Sequence, residues 1–495
     1  MNKPKTIGEL RSSNYQTKTV KLEMRDNLIK RLKSGGPIFQ GIVGYEETVI
    51  PSLCNAILSY HDLILLGLRG QAKTKIIRML PTLLDEYMPI IKGSEINDHP
   101  FSPVSKMAAD LVAEYQDEVE LQWIHRDERF GEKLATPDVT ISDLIGDIDP
   151  IKAASQRLHY AHEGVIHFGL IPRTNRGVFA INELPDLQPR IQVGLFNIMQ
   201  EKDIQIRGFP VRIPLDIFIV YTANPEDYTN RGSIITPLKD RIGSQIMTHY
   251  PRTIEDGISI TAQEAFVERE TDSEVIIPPF LRELVEQIAV EARRSEFVDQ
   301  KSGVSVRMTI TLLENLVSNA ERRAIITDSK VIAARICDLY ASVTAITGKI
   351  ELVYEGEQEG EINVTRALVG KAVRELFLKY FTDPLASMKQ AKKVYADIVD
   401  WFKGDNTFEF SDQDDFETWF SALSEVKGLK KLTEQSKLVC TDSDHELATA
   451  MEFVLDGLHQ HSMLSRDIID HRISYSDMLS TMFNSFQRDE DFFEE

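Results

Sequence analysis

Cysteine, tryptophan and long apolar runs are all scarce in this chain, and positive charge is outnumbered by negative. Its 3 cysteines, Cys54, Cys337 and Cys440, stand far apart, without the paired spacings of a disulfide framework or a zinc knuckle. A reducing compartment suits such a chain, and the cytoplasm is the expected location. No stretch approaches the roughly 20 apolar residues that cross a bilayer, and the opening residues MNKPKTIGELRSSNYQTKTV lack the apolar segment of a secretory signal. Membrane insertion is therefore not expected. Lys and Arg number 56 against 77 Asp and Glu, a net charge of −21. A field of that sign repels phosphate backbones at most approaches, so a nucleic-acid coat protein is disfavoured and only a local basic groove stays open.

What is present is 495 residues that are 42% hydrophobic, enough for roughly two or three domains with their own cores. Residues 1–40 are polar, with one helical stretch near Val20–Leu32 closed by Ser34-Gly35-Gly36-Pro37, and read as an arm. Over 41–251, short β-like runs alternate with helix-period segments, the pattern of a parallel sheet flanked by helices. The clearest predicted strands are Asp62–Leu66, Gly177–Ile181 and Ile217–Thr222; a helix is expected over Pro189–Asp203 and a β-hairpin over 204–213. Residues 252–385 read as a helical domain, with helices near Phe280–Arg294, Thr309–Ala324, Lys330–Ala345 and Val364–Tyr380 and an exposed loop at YEGEQEGEI, 354–362. Residues 386–495 read as a further helical region, with an apolar stripe at Leu447, Met451, Val454, Leu455 and Leu458 and an acidic tail, DEDFFEE. Core packing is favoured over docking for the stripe, and a solvated end over a peptide for a basic partner for the tail.

Residues 63–75, LILLGLRGQAKTK, carry the chemistry. A strand that delivers a tight turn lets backbone N–H groups converge on phosphates, while a lysine neutralises charge and a hydroxyl holds Mg²⁺. Gly67 and Gly70 give the turn its freedom, Lys73 would reach the terminal phosphates and Thr74 would ligate the metal. Ala72 stands where glycine is usual; at a helix start, right-handed backbone angles would suit it. On these residues alone a glycine-rich turn before an ordinary amphipathic helix stays open.

Hydrolysis further needs an acidic strand end and a group that orients water. GVFAINEL (177–184) ends in Asn182-Glu183: Glu183 is suited to polarise water, while Asn182 takes the place of an aspartate that steadies the magnesium shell. An asparagine can hold a metal-bound water but brings no negative charge, so weaker magnesium binding or slower turnover is expected. IFIVYTANPEDYTNRG (217–232) sets Asn224 just past a third strand, placed to touch the γ-phosphate or the lytic water. Arg241 follows Asp240 in PLKDRI, and Arg307 opens a helix in the second domain; taken alone each reads first as a surface ion-pair partner, and their order after the phosphate loop is what raises them. His159, His162 and His167 match no metalloprotease spacing and read as ordinary histidines.

In this order the pieces resemble an AAA+ ATPase of the helix-2-insert group, similar to the magnesium chelatase ATP-hydrolysing subunit and the MoxR-type ATPases, over roughly residues 38–345. The resemblance is carried by GIVGYEETVIPSLCNAI (41–57), by GLRGQAKTK, by LIGDIDPIKAA (144–154) and by EGVIHFGLIPRTNRGVFAINEL (163–184). It implies a P-loop α/β core with a helical lid. It also implies that Gly67, Gly70, Gln71, Ala72, Lys73, Thr74 and Lys75 hold ATP, that Thr74 and Asn182 hold Mg²⁺, and that Glu183 is the catalytic glutamate. Asn224 becomes the first sensor, Arg241 the arginine finger given to a neighbouring subunit, and Arg307 the second sensor. Departures are Asn182 for aspartate and Ile242 for the aromatic after the finger. A hexameric ring is implied, remodelling a partner of the von Willebrand factor A type. Two rival readings remain: the ATPase subunit of a chelatase that drives Mg²⁺ into a porphyrin, and a nucleotide-gated scaffold with little turnover. No GAFTGA-like loop or helix-turn-helix supports a transcriptional activator.

Overall fold

Five short runs form one parallel sheet: β1 (Leu63–Leu66), β2 (Phe130–Leu134), β3 (Gly177–Asn182), β4 (Ile217–Ala223) and β5 (Ser244–Met247). Their spatial order is β5-β1-β4-β3-β2, every neighbour parallel. β1, β3 and β4 are buried along their whole length, as continuous apolar runs in a parallel sheet must be when helices cover both faces. Alternate residues face opposite sides: Leu63 and Leu65 join one core cluster with Val178, Ala180, Phe218 and Val220, while Ile64 and Leu66 join the other with Phe179, Ile181 and Ile219. The predicted strands lie within a residue of their expected ends. β2 and β5 were not foreseen, because FGEKL and SQIM are polar strands at the sheet's two edges.

The computed structural model describes residues 3–149, 151, 163–206, 212–225, 232–269, 273–386, 388–404, 406–439, 443–469 and 472–478. Cα packing divides the chain into two units, Met1–His249 and Tyr250–Glu495.

In the first unit, the stretch read as an arm is built into the core. Helix α1 (Val20–Ser34) is capped by the Thr19 hydroxyl at its start and by Gly35 in the left-handed region at its end. Val20, Met24 and Leu28 pack with helix α2 (Val49–Leu58) under the sheet. Glu23 accepts both terminal nitrogens of the fully buried Arg129 at 2.7 and 2.6 Å, and its Oε1 also accepts the Asp85 N–H at 2.6 Å. Removing one member of such a pair strands the other charge in the core, at a cost of about 3–5 kcal/mol. The helix expected over Pro189–Asp203 is split into Pro189–Gly194 and Phe196–Gln200. The hairpin pairs Asp203–Gln205 with Arg212–Pro214, and its turn, 207–211, lies outside the described residues, as do Cys440, His159, His162 and the acidic tail.

The second unit is mainly helical. One hydrophobic cluster joins helices α5 (Pro279–Arg294), α6 (Arg307–Ile326), α7 (Glu361–Tyr380) and α8 (Asp444–Gln460). It also contains Tyr395, Trp419 and Tyr475, so residues beyond 386 share this core. The stripe from Leu447 to Leu458 is buried in it. Three readings are corrected. Lys330–Ala345 opens as a strand, Val331–Ala333, paired in parallel with Glu274–Ile276, before the helix Ile336–Ala341; β-branched Val331 and Ile332 find strand partners there. The segment expected as a loop forms an exposed helix, Tyr354–Glu359. Beyond 386 a three-stranded antiparallel sheet, Phe408–Ser411, Arg472–Asp477 and Leu464–Ile469, accompanies the helices.

Within this unit Glu286 of α5 is 4% exposed, and its Oε1 finds no hydrogen-bond partner among the described residues. Gly257 makes the room: a Cβ there would collide with the carboxylate. Burial pushes the Glu286 carboxyl up to about 7, against the pull of nearby Arg293 and of the adjacent Thr309 and Thr261 hydroxyls. The folded chain thus keeps a proton that the unfolded chain releases near pH 4.5. Stability of the second unit is expected to fall by roughly 3 kcal/mol as pH rises through that window, then level off above pH 7. Glu286→Gln should flatten most of that slope, as read by urea denaturation at pH 5 and pH 8.

Candidate functional site

The site is built at the carboxyl ends of β1, β3 and β4, the edge of an open parallel sheet where ligands are bound. β1 and β4 run in register, Leu66 beside Ala223, so the residues that follow, Gly67 and Asn224, leave the sheet side by side. The Gly67 N–H donates to the Ala223 carbonyl at 3.2 Å. A Cβ on Gly67 would land on the Thr248 hydroxyl and the Gln71 amide oxygen, so the loop can turn here only without a side chain.

Behind the loop, Thr248 Oγ1 donates to Gln71 Oε1 at 2.7 Å, and Tyr45 Oη approaches the Gln71 carbonyl at 3.0 Å and the His249 carbonyl at 2.7 Å. The Tyr45 and His249 rings meet edge to face, 4.9 Å between centroids. The Gln71 side chain is therefore committed to bracing the loop. Sequence reasoning missed Tyr45 and Thr248 as braces: Tyr45 sits within the quoted segment GIVGYEETV, but nothing local marks its partner 204 residues away.

Ala72 corrects the expectation of right-handed angles. It caps helix α3 (Lys73–Met79) with φ 53° and ψ 15°, in the left-handed region. That conformation presses Cβ on the following carbonyl and costs a non-glycine residue about 1–2 kcal/mol. The loop is held there by its braces on both sides.

Lys73 is 7% exposed and its ammonium bonds to the carbonyls of Gly67 and Leu68 and, at 2.6 Å, to Asn224 Oδ1. The other end of that amide, Asn224 Nδ2, donates to Glu183 Oε2 at 3.1 Å. Glu183 is half-buried and takes the left-handed region too, φ 55° and ψ 51°, which turns its carboxylate off the end of β3. Its backbone N–H donates to Thr222 Oγ1 at 3.0 Å, and the Thr222 hydroxyl donates to Asn182 Oδ1 at 3.2 Å. Three strand ends are thereby joined by side chains that can bind anions, orient water and take up a proton.

Beside Asn182 stands a carboxylate that the sequence reading missed. Glu132, on the neighbouring strand β2, accepts from Asn182 Nδ2 at 2.5 Å and from Arg78 of α3 at 2.9 Å. FGEKL shows no pattern that would single it out.

Thr74 is exposed on the first turn of α3, and Lys75 is half-buried beside it. Thr74, Asn182 and Glu183 offer oxygen donors only, the chemistry that suits Mg²⁺. Among the described residues no group of three or more His, Cys, Asp or Glu side chains could hold a metal by itself. Arg241 ends helix α4 (Thr236–Arg241) on the surface, anchored to Gln200 Oε1 at 3.0 Å and stacked over Phe196. Arg307 is exposed at the start of α6 in the second unit. His167 is exposed on the strand Ile166–Phe168.

No protein-family model matches the chain. The archaeal Lon protease of Thermococcus kodakarensis is 30% identical over 165 residues, 30% of this chain and 25% of the relative. The chain thus spans about a quarter of the length of that curated relative. Among solved structures, the complex of BchI and BchD of magnesium chelatase is 18% identical, covering 65% of this chain and 98% of that one, with a TM-score of 0.35. The Hsp104–ADP complex of S. cerevisiae is 11% identical over 65% of this chain and 52% of that one, with a TM-score of 0.35.

The strain at Ala72 is directly measurable. Ala72→Gly is expected to stabilise the first unit by roughly 1 kcal/mol, less than the full relief because glycine also loosens the unfolded chain. A urea titration without ligand that shows no gain, or a loss, would refute the strain.

Proposed function

We propose that the chain is an AAA+ ATPase that binds ATP with Mg²⁺ and hydrolyses it at the junctions of a ring, using the work to remodel a partner protein of the von Willebrand factor A type. One observation carries this reading: the unbroken chain Lys73–Asn224–Glu183 across the ends of three parallel strands, beside a braced phosphate-type loop.

In this reading Lys73 binds the terminal phosphates in exchange for its loop carbonyls. Glu183 orients the attacking water and takes its proton, while Asn224 holds the Glu183 carboxylate at the right angle and senses the γ-phosphate. Thr74 and Asn182 would hold Mg²⁺, which when bound offsets phosphate charge. Arg241 is exposed, as a finger reaching into a neighbour's site must be, and a finger used in trans demands a head-to-tail contact that closes into a ring. The exposed Arg307 would report nucleotide state to the second unit. The expectation of a hexamer rests on the resemblance described above.

Glu183→Gln should keep ATP affinity and slow phosphate release by roughly 10²- to 10⁴-fold, whereas Lys73→Ala should abolish binding. A wild-type protein with no affinity for ATP would end the proposal. Arg241→Ala and Glu183→Gln should each be inactive alone and regain turnover on mixing, since mixed junctions pair an intact finger with an intact glutamate. Absence of recovery would refute action in trans. An isolated von Willebrand factor A domain should co-elute with Glu183→Gln in ATP and not in ADP if the partner class is right.

A further inference from the structure

The asparagine at 182 and the glutamate at 132 have one physical explanation between them. Asn182 is 7% exposed, and each end of its amide is spoken for: Oδ1 accepts from the Thr222 hydroxyl, and Nδ2 donates to Glu132 Oε1 at 2.5 Å. An aspartate is isosteric with asparagine, so at 182 it would set a second anionic oxygen at that same short distance from Glu132. Like charges so placed repel. A strand end beside Glu132 therefore tolerates a neutral donor and not a carboxylate.

We propose, resting on the nucleotide-site reading above, that the negative charge of the magnesium shell has moved from the end of β3 to Glu132 on β2, which delivers it through the Asn182 amide. The hydrogen bonds run in one sense: Glu183 N–H to Thr222, Thr222 O–H to Asn182 Oδ1, Asn182 N–H to Glu132. In a chain of this kind each bond polarises the next, so the Glu132 carboxylate makes Asn182 Oδ1 a stronger acceptor toward a metal-bound water. Arg78 holds Glu132 from the far side at 2.9 Å, but its side chain is 63% exposed and water screens its charge, whereas the Glu132 side chain is 21% exposed. Glu132 is thus a positioning residue that acts through Asn182. The expectation of weak magnesium binding, drawn from an asparagine considered alone, is replaced by a shared acid–amide pair.

The test is a charge transposition read by the Mg²⁺ dependence of binding of a fluorescent ATP analogue, with EDTA as the metal-free control. Glu132→Gln should raise the Mg²⁺ midpoint roughly 10- to 100-fold while metal-free nucleotide affinity stays within about twofold. Asn182→Asp alone should not tighten Mg²⁺ binding. The double variant Glu132→Gln/Asn182→Asp, which returns one charge to the pair, should recover most of the wild-type midpoint. An unchanged midpoint in Glu132→Gln, or tighter Mg²⁺ binding in Asn182→Asp alone, would overturn the transposition while leaving the nucleotide site intact. The Asn182→Asp arm decides the matter even if Glu132→Gln fails to fold. A wild-type protein that binds no nucleotide would instead sink the functional reading beneath both.

Discussion

Side-by-side exit of β1 and β4 from the sheet is the constraint on which the rest of the first unit depends. Parallel pairing of Leu66 with Ala223 and of Tyr221 with Ile181 brings three loops to one edge, and only there can Lys73, Asn224 and Glu183 touch. Everything that holds the sheet flat against its helices therefore also holds the site. The buried Glu23–Arg129 pair and the packing of α1 beneath β4 belong to that support, far from the chemistry in sequence and integral to it in space.

Two residues at this edge, Ala72 and Glu183, occupy backbone angles that glycine tolerates best. Each costs of the order of 1–2 kcal/mol, and each is offset by contacts that over-determine its place: Tyr45 and Thr248 around the loop, Thr222 under Glu183. Strain at both positions aims a functional group, the loop amides in one case and a carboxylate in the other.

Charge is distributed over this edge in the same spirit. Glu132, Asn182, Thr222 and Glu183 form one run of hydrogen bonds over three adjacent strands, β2, β3 and β4, so the electrostatic character of the β3 end cannot be assigned to any one side chain. The asparagine that stands where an aspartate was expected thus has a carboxylate one hydrogen bond away, the geometry on which the proposed charge transposition rests.

Much was legible without coordinates. The buried strands showed as apolar runs, and the order of loop, acidic strand end and asparagine strand end located Lys73, Glu183 and Asn224, because those signals are local and each strand's chemistry follows directly on its apolar stretch. The edge strands β2 and β5, the split of Pro189–Asp203 and the pairing of Phe408–Ser411 with Arg472–Asp477 were not legible, since short edge strands carry no periodic signal and the partners of these strands lie tens to hundreds of residues away. Backbone hand at Ala72 and the carboxylate beside Asn182 were decided by tertiary structure alone. The first follows from bracing by Thr248, the second from the register that sets β2 beside β3, and neither relation exists until the sheet has formed.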